Sequence, residues 1–153
     1  MKEKVRALLV HTRPETMVPL DHVLKQQDVE VDRAASCGQA LLKLWGDKPP
    51  HLVSTDTTLS DGGWSSVLTL VRKASTPVNV VVVSSVVDVA LYLETLDQGA
   101  YDFLTPPFEA REVAHILRCA VEDVMSRRNK RMPERMVCES AALPPLGVGE
   151  AGV

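Results

Sequence analysis

Short runs of Val, Leu and Ala alternate along the chain with longer segments in which apolar positions recur every three or four residues, and the alternation repeats five times. VRALLV (5–10) precedes a helical stretch from Pro14 to Gln27, and VEVD (29–32) precedes GQALLKLW (38–45). HLVST (51–55) precedes WSSVLTLVRKA (64–74), and VVVV (80–83) precedes DVALYLETLDQ (88–98). Lastly, YDFL (101–104) precedes EAREVAHILRCAVEDVM (109–125). Continuous apolar strands suit a sheet covered on both faces, and right-handed crossover helices supply that cover only when the strands are parallel. The pattern therefore predicts an α/β, doubly wound fold around a five-stranded parallel sheet.

Within these segments some positions stand out. Pro19 falls inside the first helix and should shorten or kink it. In DVALYLETLDQ, Asp88 is the N-cap, and the spacing i, i+3, i+4, i+7 predicts a buried stripe of Val89, Tyr92, Leu93 and Leu96, with Leu91 off the stripe. From Ser126 the chain turns basic in SRRNKRMPER and then rich in Pro, Gly and Ala in ALPPLGVGEAGV. With no periodic apolar face, residues 126–153 read as a flexible tail behind one domain at 4–125. The basic cluster reads as a solvated helix end, where cations suit the macrodipole, or as a contact for an acidic partner or nucleic acid.

Composition narrows the classes. The 153 residues are 45% hydrophobic and 24% charged with a formal net charge of −3, which fits one globular domain and argues against direct nucleic-acid binding by bulk electrostatics. Cys37, Cys119 and Cys138 are an odd number without C-x-x-C spacing, so reduced cytoplasmic thiols are expected rather than disulfides or a zinc site. The apolar part of MKEKVRALLV is too short for a signal peptide, and no apolar run reaches the roughly 18 residues of a membrane span. His22, His51 and His115 have no partner pattern and read as surface or boundary residues.

In a doubly wound sheet, chemistry gathers beyond the carboxyl ends of the strands. Those positions here are His11 and Thr12, then Asp56, then Ser84 and Ser85, then Thr105 and Pro106. HTRPE has no glycine for a phosphate-binding turn after the first strand, which weakens a nucleotide-binding reading. Ser84 and Ser85 also have a plain structural reading, as hydroxyls that satisfy strand-end backbone groups.

HLVSTDTTLSDG, NVVVVSS and QGAYDFLTPPF, in this order and spacing, resemble the receiver domain of bacterial two-component response regulators over about residues 4–125. The resemblance implies a flavodoxin-like (βα)5 fold with strand order 2-1-3-4-5. It implies Asp56 as the phosphoacceptor for a histidine kinase or phosphotransfer protein, Ser84 as a phosphoryl contact, and Thr58 as the donor of a backbone carbonyl to Mg2+. It makes Phe103 the switch aromatic, implies a cis Pro106-Pro107 peptide, and implies a signalling protein in the cytoplasm rather than an enzyme.

The departures from the family fall on the chemistry. LLVHTRPE places His11 and Thr12 where the family has an acidic pair, TPPF places Pro106 where it has a lysine, and Ser60 stands for the usual loop proline. Phosphoryl transfer to a carboxylate depends on positioning and on neutralising charge between two anions. Asp56 and the Thr58 carbonyl supply part of a Mg2+ shell, but imidazole is a poor magnesium ligand, so Mg2+ is expected to bind weakly or not at all. Each lost donor is worth about 3 kcal/mol, so the losses amount to a thousandfold or more, on the order of several kcal/mol in the barrier. Arg13 is a candidate substitute cation.

Two readings stand side by side: a phosphoaccepting receiver, and a receiver-fold interaction module that works without phosphorylation. In the family the surface of the fourth helix, fifth strand and fifth helix signals and dimerises, so Leu91, Tyr92 and Tyr101 are candidate interface residues for an output protein or a homodimer. A third reading, a small α/β enzyme or ligand binder, lacks a complete catalytic constellation. The 28 residues after 125 are too few for an output domain.

Overall fold

The computed structural model describes the backbone of residues 4–15 and 17–142 and the side chains of residues 4–15 and 17–130. Along the chain run β1 (Arg6–Val10), α1 (Met17–Gln26), β2 (Glu30–Ala34), α2 (Cys37–Leu44) and β3 (Leu52–Asp56). A short hairpin of β4 (Thr58–Leu59) and β5 (Gly62–Gly63) follows, then α3 (Trp64–Lys73), β6 (Asn79–Val83), α4 (Val89–Asp97), β7 (Asp102–Leu104) and α5 (Ala110–Ala142). The five long strands form one parallel sheet in the order β2-β1-β3-β6-β7, which is 2-1-3-4-5 once the hairpin is set aside.

Period-two alternation divides the strand side chains between two cores. Ala7, Leu9, Val81 and Val83 point toward α1 and α5, where they meet Leu20, Leu24, Val113 and Leu117. Leu8, Val10, Val80 and Val82 point to the other face and meet Ala40, Leu44, Val67 and Leu68 of α2 and α3. Each such fully buried aliphatic side chain is worth about 1.5–3 kcal/mol, so both faces hold the sheet. Register aligns Val10 with Thr55, Asp56 with Val83, and Val83 with Leu104. The carboxyl ends of these strands therefore finish at nearly one level.

Four expectations are corrected. The predicted stripe of α4 is rotated: Val89 and Leu93 are 65% and 58% exposed, Tyr92 is at the surface, Leu91 is half-buried and Thr95 is fully buried. VALYLETL is apolar nearly all round, so spacing could not set its phase, and Thr95 goes inside because its hydroxyl donates to Tyr92 O at 2.9 Å. The chain from Ser126 to Ala142 is not tail but the continuation of α5, 33 residues in all; residues 143–153 lie outside the described residues. Arg127 and Arg128 do not lie at a helix end, and both side chains reach the sheet. Arg128 Nε donates to Pro77 O at 3.0 Å and its Nη2 to Pro50 O at 2.8 Å, while Arg127 Nη2 donates to Asn79 Oδ1 at 2.6 Å. Polar contacts with the amino end of the sheet, invisible to hydrophobic periodicity, hold this part of the helix.

The fourth correction is His51, which is 1% exposed rather than at the surface, its Nδ1 accepting from Arg6 N at 3.0 Å. His22 and His115 are exposed as expected. Pro19 lies in the first turn of α1, which begins only at Met17, and so shortens the predicted helix where a missing N–H costs least. Asp88 caps α4 through Leu91 N at 3.0 Å, and the Pro106-Pro107 peptide is cis.

Candidate functional site

Asp56 is the last residue of β3, half-buried, with Oδ1 accepting from Thr57 N at 2.7 Å. It opens into a cleft of about 650 Å3 lined also by Thr12, Arg13, Glu15, Thr58, Ser60 and Ser85. The structure thus brings Asp56 together with Thr12, Thr58 and Ser85, and places Arg13 in the same cleft as its cation. Ser84 is turned away: it is buried, and its hydroxyl donates to Val86 O at 2.8 Å and accepts from Val86 N at 3.2 Å. Ser85, which follows it, faces the cleft instead.

Thr12 occupies the acid position with a hydroxyl that is already engaged. Its Oγ1 donates to Ala35 O at 3.0 Å and accepts from Ser60 N at 2.9 Å. One side chain therefore ties the end of β1 to the loop after β2 and to the tip of the β4–β5 hairpin. Two departures from the family meet in this bridge, because a proline at position 60 would have no N–H to donate. The hairpin is fastened a second time by Asp61, whose carboxylate accepts from Cys37 N at 2.8 Å and Gly38 N at 3.1 Å at the start of α2. These amide donors hold the Asp61 carboxyl below the ordinary carboxylate range. Gly62 and Gly63 complete the turn: a Cβ on Gly62 would lie 2.6 Å from Ser66 Oγ, and one on Gly63 would lie 2.8 Å from Thr57 O.

His11 stands at the other acid position, with its backbone N–H bonded to Ala34 O at 3.0 Å. Both ring nitrogens are shielded from solvent and make no hydrogen bond of normal geometry. Burial, with the nearby Arg33 guanidinium, pushes its pKa below the ordinary 6.5; the Arg13 backbone and the Asp56 carboxylate act in the opposite direction without offsetting this. Arg33 is itself bonded to the buried Asp21 of α1, which Lys25 also approaches at 3.4 Å. The donors at the metal end of the cleft are thus a neutral imidazole, a doubly engaged hydroxyl, Asp56 and the Thr58 main chain. That set does not fit Mg2+, which calls for several free hard oxygens in octahedral geometry. Among the described residues no three His, Cys, Asp or Glu side chains converge to hold a metal. Pro106 is exposed and carries no charge toward the cleft.

On the neighbouring face, Phe103 is half-buried and meets Tyr92 edge to face, with ring centroids 5.7 Å apart. Tyr101 packs against the α1/α5 core, and burial, together with Cys119, Asp123, Asp102 and Glu122, raises its pKa. Leu91 is half-buried, less exposed than Val89 and Leu93 beside it. The exposed apolar run is Val86, Val87, Val89, Tyr92 and Leu93. Sequence reading missed Glu15, Arg33 and Asp61 at the site. Their neighbours in the fold lie on other elements, and no local motif signals the meeting.

The comparisons with known proteins agree with this fold. Residues 7–118 match the model of the response regulator receiver domain. Chemotaxis protein CheY of Listeria monocytogenes is 23% identical over 103 residues, covering 67% of this chain and 87% of that protein. CheY of Thermotoga maritima is 22% identical over 112 residues, covering 73% and 93%. The signal receiver domain of an HD domain-containing protein from Pseudomonas fluorescens superposes with a TM-score of 0.73 at 21% identity, over 84% of this chain and 95% of that one. The structural likeness shows the fold; the family match, which spans most of the chain and includes Asp56 and Phe103, shows the kinship. The chain belongs to the receiver-domain family of response regulators.

Proposed function

We propose that this receiver acts as a phosphorylation-independent interaction module whose site is held in one state by its own side chains. The observation that carries the reading is the Thr12 bridge: the group that occupies the acid position is a neutral hydroxyl already joining Ala35 and Ser60, not the free carboxylate that a metal calls for. Mg2+ binding at Asp56 and the Thr58 carbonyl is accordingly weak or absent, and the chain has no catalytic turnover of its own. The partner is an output protein or a sensor kinase of the cytoplasm. It docks on the exposed Val86, Val87, Val89, Tyr92 and Leu93, a grouping of the kind that marks interaction surfaces. The same face could pair two copies of the chain through α4, β7 and α5. No described helix is long and apolar enough to cross a membrane.

A second reading has its own support, since Asp56 opens into a cleft that also holds Arg13 and Ser85. In it, a carboxylate oxygen of Asp56 attacks the phosphorus of a phosphohistidine or small phosphodonor, an acyl phosphate forms, and the donor's leaving group departs. Incubation with phosphoramidate and Mg2+, followed by intact-mass analysis, separates the two. The module reading expects no acid-stable, base-labile adduct. It also expects signalling in cells to survive Asp56→Asn and to fail in Leu93→Asp. An adduct lost in Asp56→Asn, together with loss of signalling in that variant, would establish the second reading in its place.

A further inference from the structure

The donor set around Asp56 does not suit Mg2+, and for the same chemical reason it suits a different kind of cation. Oδ1 of Asp56 accepts one bond, from Thr57 N, whereas a carboxylate has room for about four. Among the described residues no Lys, Arg or His forms an ion pair with it, and that includes Arg13, which lines the same cleft. Thr57, Thr58, Ser60 and Ser85 line the walls, and none of their hydroxyls is committed to another group of the described chain. Glu15 is a second, exposed carboxylate in the lining, so two acids stand against one base.

Mg2+ calls for several hard oxygens in a strict octahedron. An ammonium or guanidinium group asks for less: one carboxylate to balance its charge, and neutral oxygens to accept the remaining N–H groups. A carboxylate among uncommitted hydroxyls is such a set. We propose that the Asp56 cleft binds an organic cation with N–H donors, an alkylammonium or guanidinium group, whose charge takes the place of the lysine absent at Pro106. The proposal rests on the module reading, in which Asp56 stays unmodified. Two sources share this chemistry, a Lys or Arg side chain of a docked partner and a free amine. The fold favours the first, because Ser85 of the cleft runs directly into Val86 and Val87, where the exposed apolar run begins. A partner seated on that run has its side chains at the mouth of the cleft.

The test is titration of the full chain, without Mg2+ or phosphodonor, followed in proton–nitrogen correlation spectra. The probes are methylguanidinium and the peptide acetyl-Gly-Arg-Gly-amide, with tetramethylammonium as a cation that carries the charge but no N–H. The expected result is saturable shifts of the Thr57, Thr58 and Ser85 amides with methylguanidinium, and none with tetramethylammonium at equal ionic strength. Asp56→Asn should weaken binding about tenfold. Arg13→Gln should tighten it about threefold by removing a competing cation from the cleft. Unchanged resonances away from the cleft check that each variant keeps the fold. Tighter binding of the peptide than of methylguanidinium assigns the site to a partner's side chain, and equal or weaker binding assigns it to a free amine. Absence of saturable shifts, equal shifts with tetramethylammonium, or full affinity in Asp56→Asn would each overturn the proposal. Such a failure leaves the module reading standing, because that reading is decided by the phosphoramidate adduct.

Discussion

At the amino end of the sheet, polar groups are answered from within the chain. His51 accepts from Arg6 N, Arg6 Nη2 donates to Pro49 O at 3.0 Å, Asn79 Nδ2 donates to Ala120 O at 2.9 Å, and Arg127 and Arg128 close over Asn79, Pro77 and Pro50. At the carboxyl end the same five strands open into a cleft in which Asp56 meets one backbone amide and the His11 ring nitrogens make no hydrogen bond of normal geometry. The first end is finished as structure, and the second keeps the outline of a reaction site with its charged apparatus exchanged for hydroxyls and imidazole. Most of the long-range polar bonding and the candidate chemistry therefore gather at opposite ends of one sheet.

The largest effect expected is at the cleft. Replacing His11 and Thr12 with Asp and Pro106 with Lys together should raise the Mg2+-dependent phosphorylation rate of Asp56 by about a thousandfold, roughly 4 kcal/mol in the barrier, read from the time course of the intact mass. An unchanged rate would mean that the cleft has lost more than its charges. At the opposite end, His51→Ala removes a buried acceptor and strands Arg6 N–H, and should cost about 2–4 kcal/mol in urea denaturation. Asp56→Asn in the same assay should stay within about 0.5 kcal/mol; equal losses would erase the division between the two ends.

Smaller effects sharpen the picture. Thr12→Val keeps the shape but drops the bridge, and should cost about 1 kcal/mol and speed hydrogen exchange at the Ser60 amide. The smallest effect is a pH dependence. Because the folded pKa of His11 lies below its ordinary 6.5, the unfolded chain takes up a proton first as pH falls, so the stability tied to neutral His11 is present above about pH 6.5 and is lost below it. His11→Asn should therefore gain on the wild type between pH 7 and pH 5.5 in paired denaturant titrations.

How much of this the sequence reveals depends on the range of the interaction. The parallel sheet, the Asp88 cap and the place of Asp56 rest on local pattern and strand ends, and the structure follows them. The β4–β5 hairpin was hidden because DGG reads as a plain loop until Gly63 meets Thr57. The phase of α4 was hidden because a nearly uniform apolar helix carries no directional signal. The length of α5 and the burial of His51 depend on polar contacts such as Arg128 with Pro50, 78 positions away, which no periodicity encodes. At the site, the two odd residues Thr12 and Ser60 were legible one at a time, but not as a single hydrogen bond.

That hydrogen bond makes positions 12 and 60 a single unit. Restoring an acid at position 12 alone removes the donor to Ala35 and sets a carboxylate against a carbonyl, before any metal is gained in return. Restoring proline at position 60 alone deletes the amide that Thr12 holds. Because positions 12 and 60 share one bond, Thr12→Asp and Ser60→Pro should be non-additive in stability, the double variant costing less than the sum of the two singles.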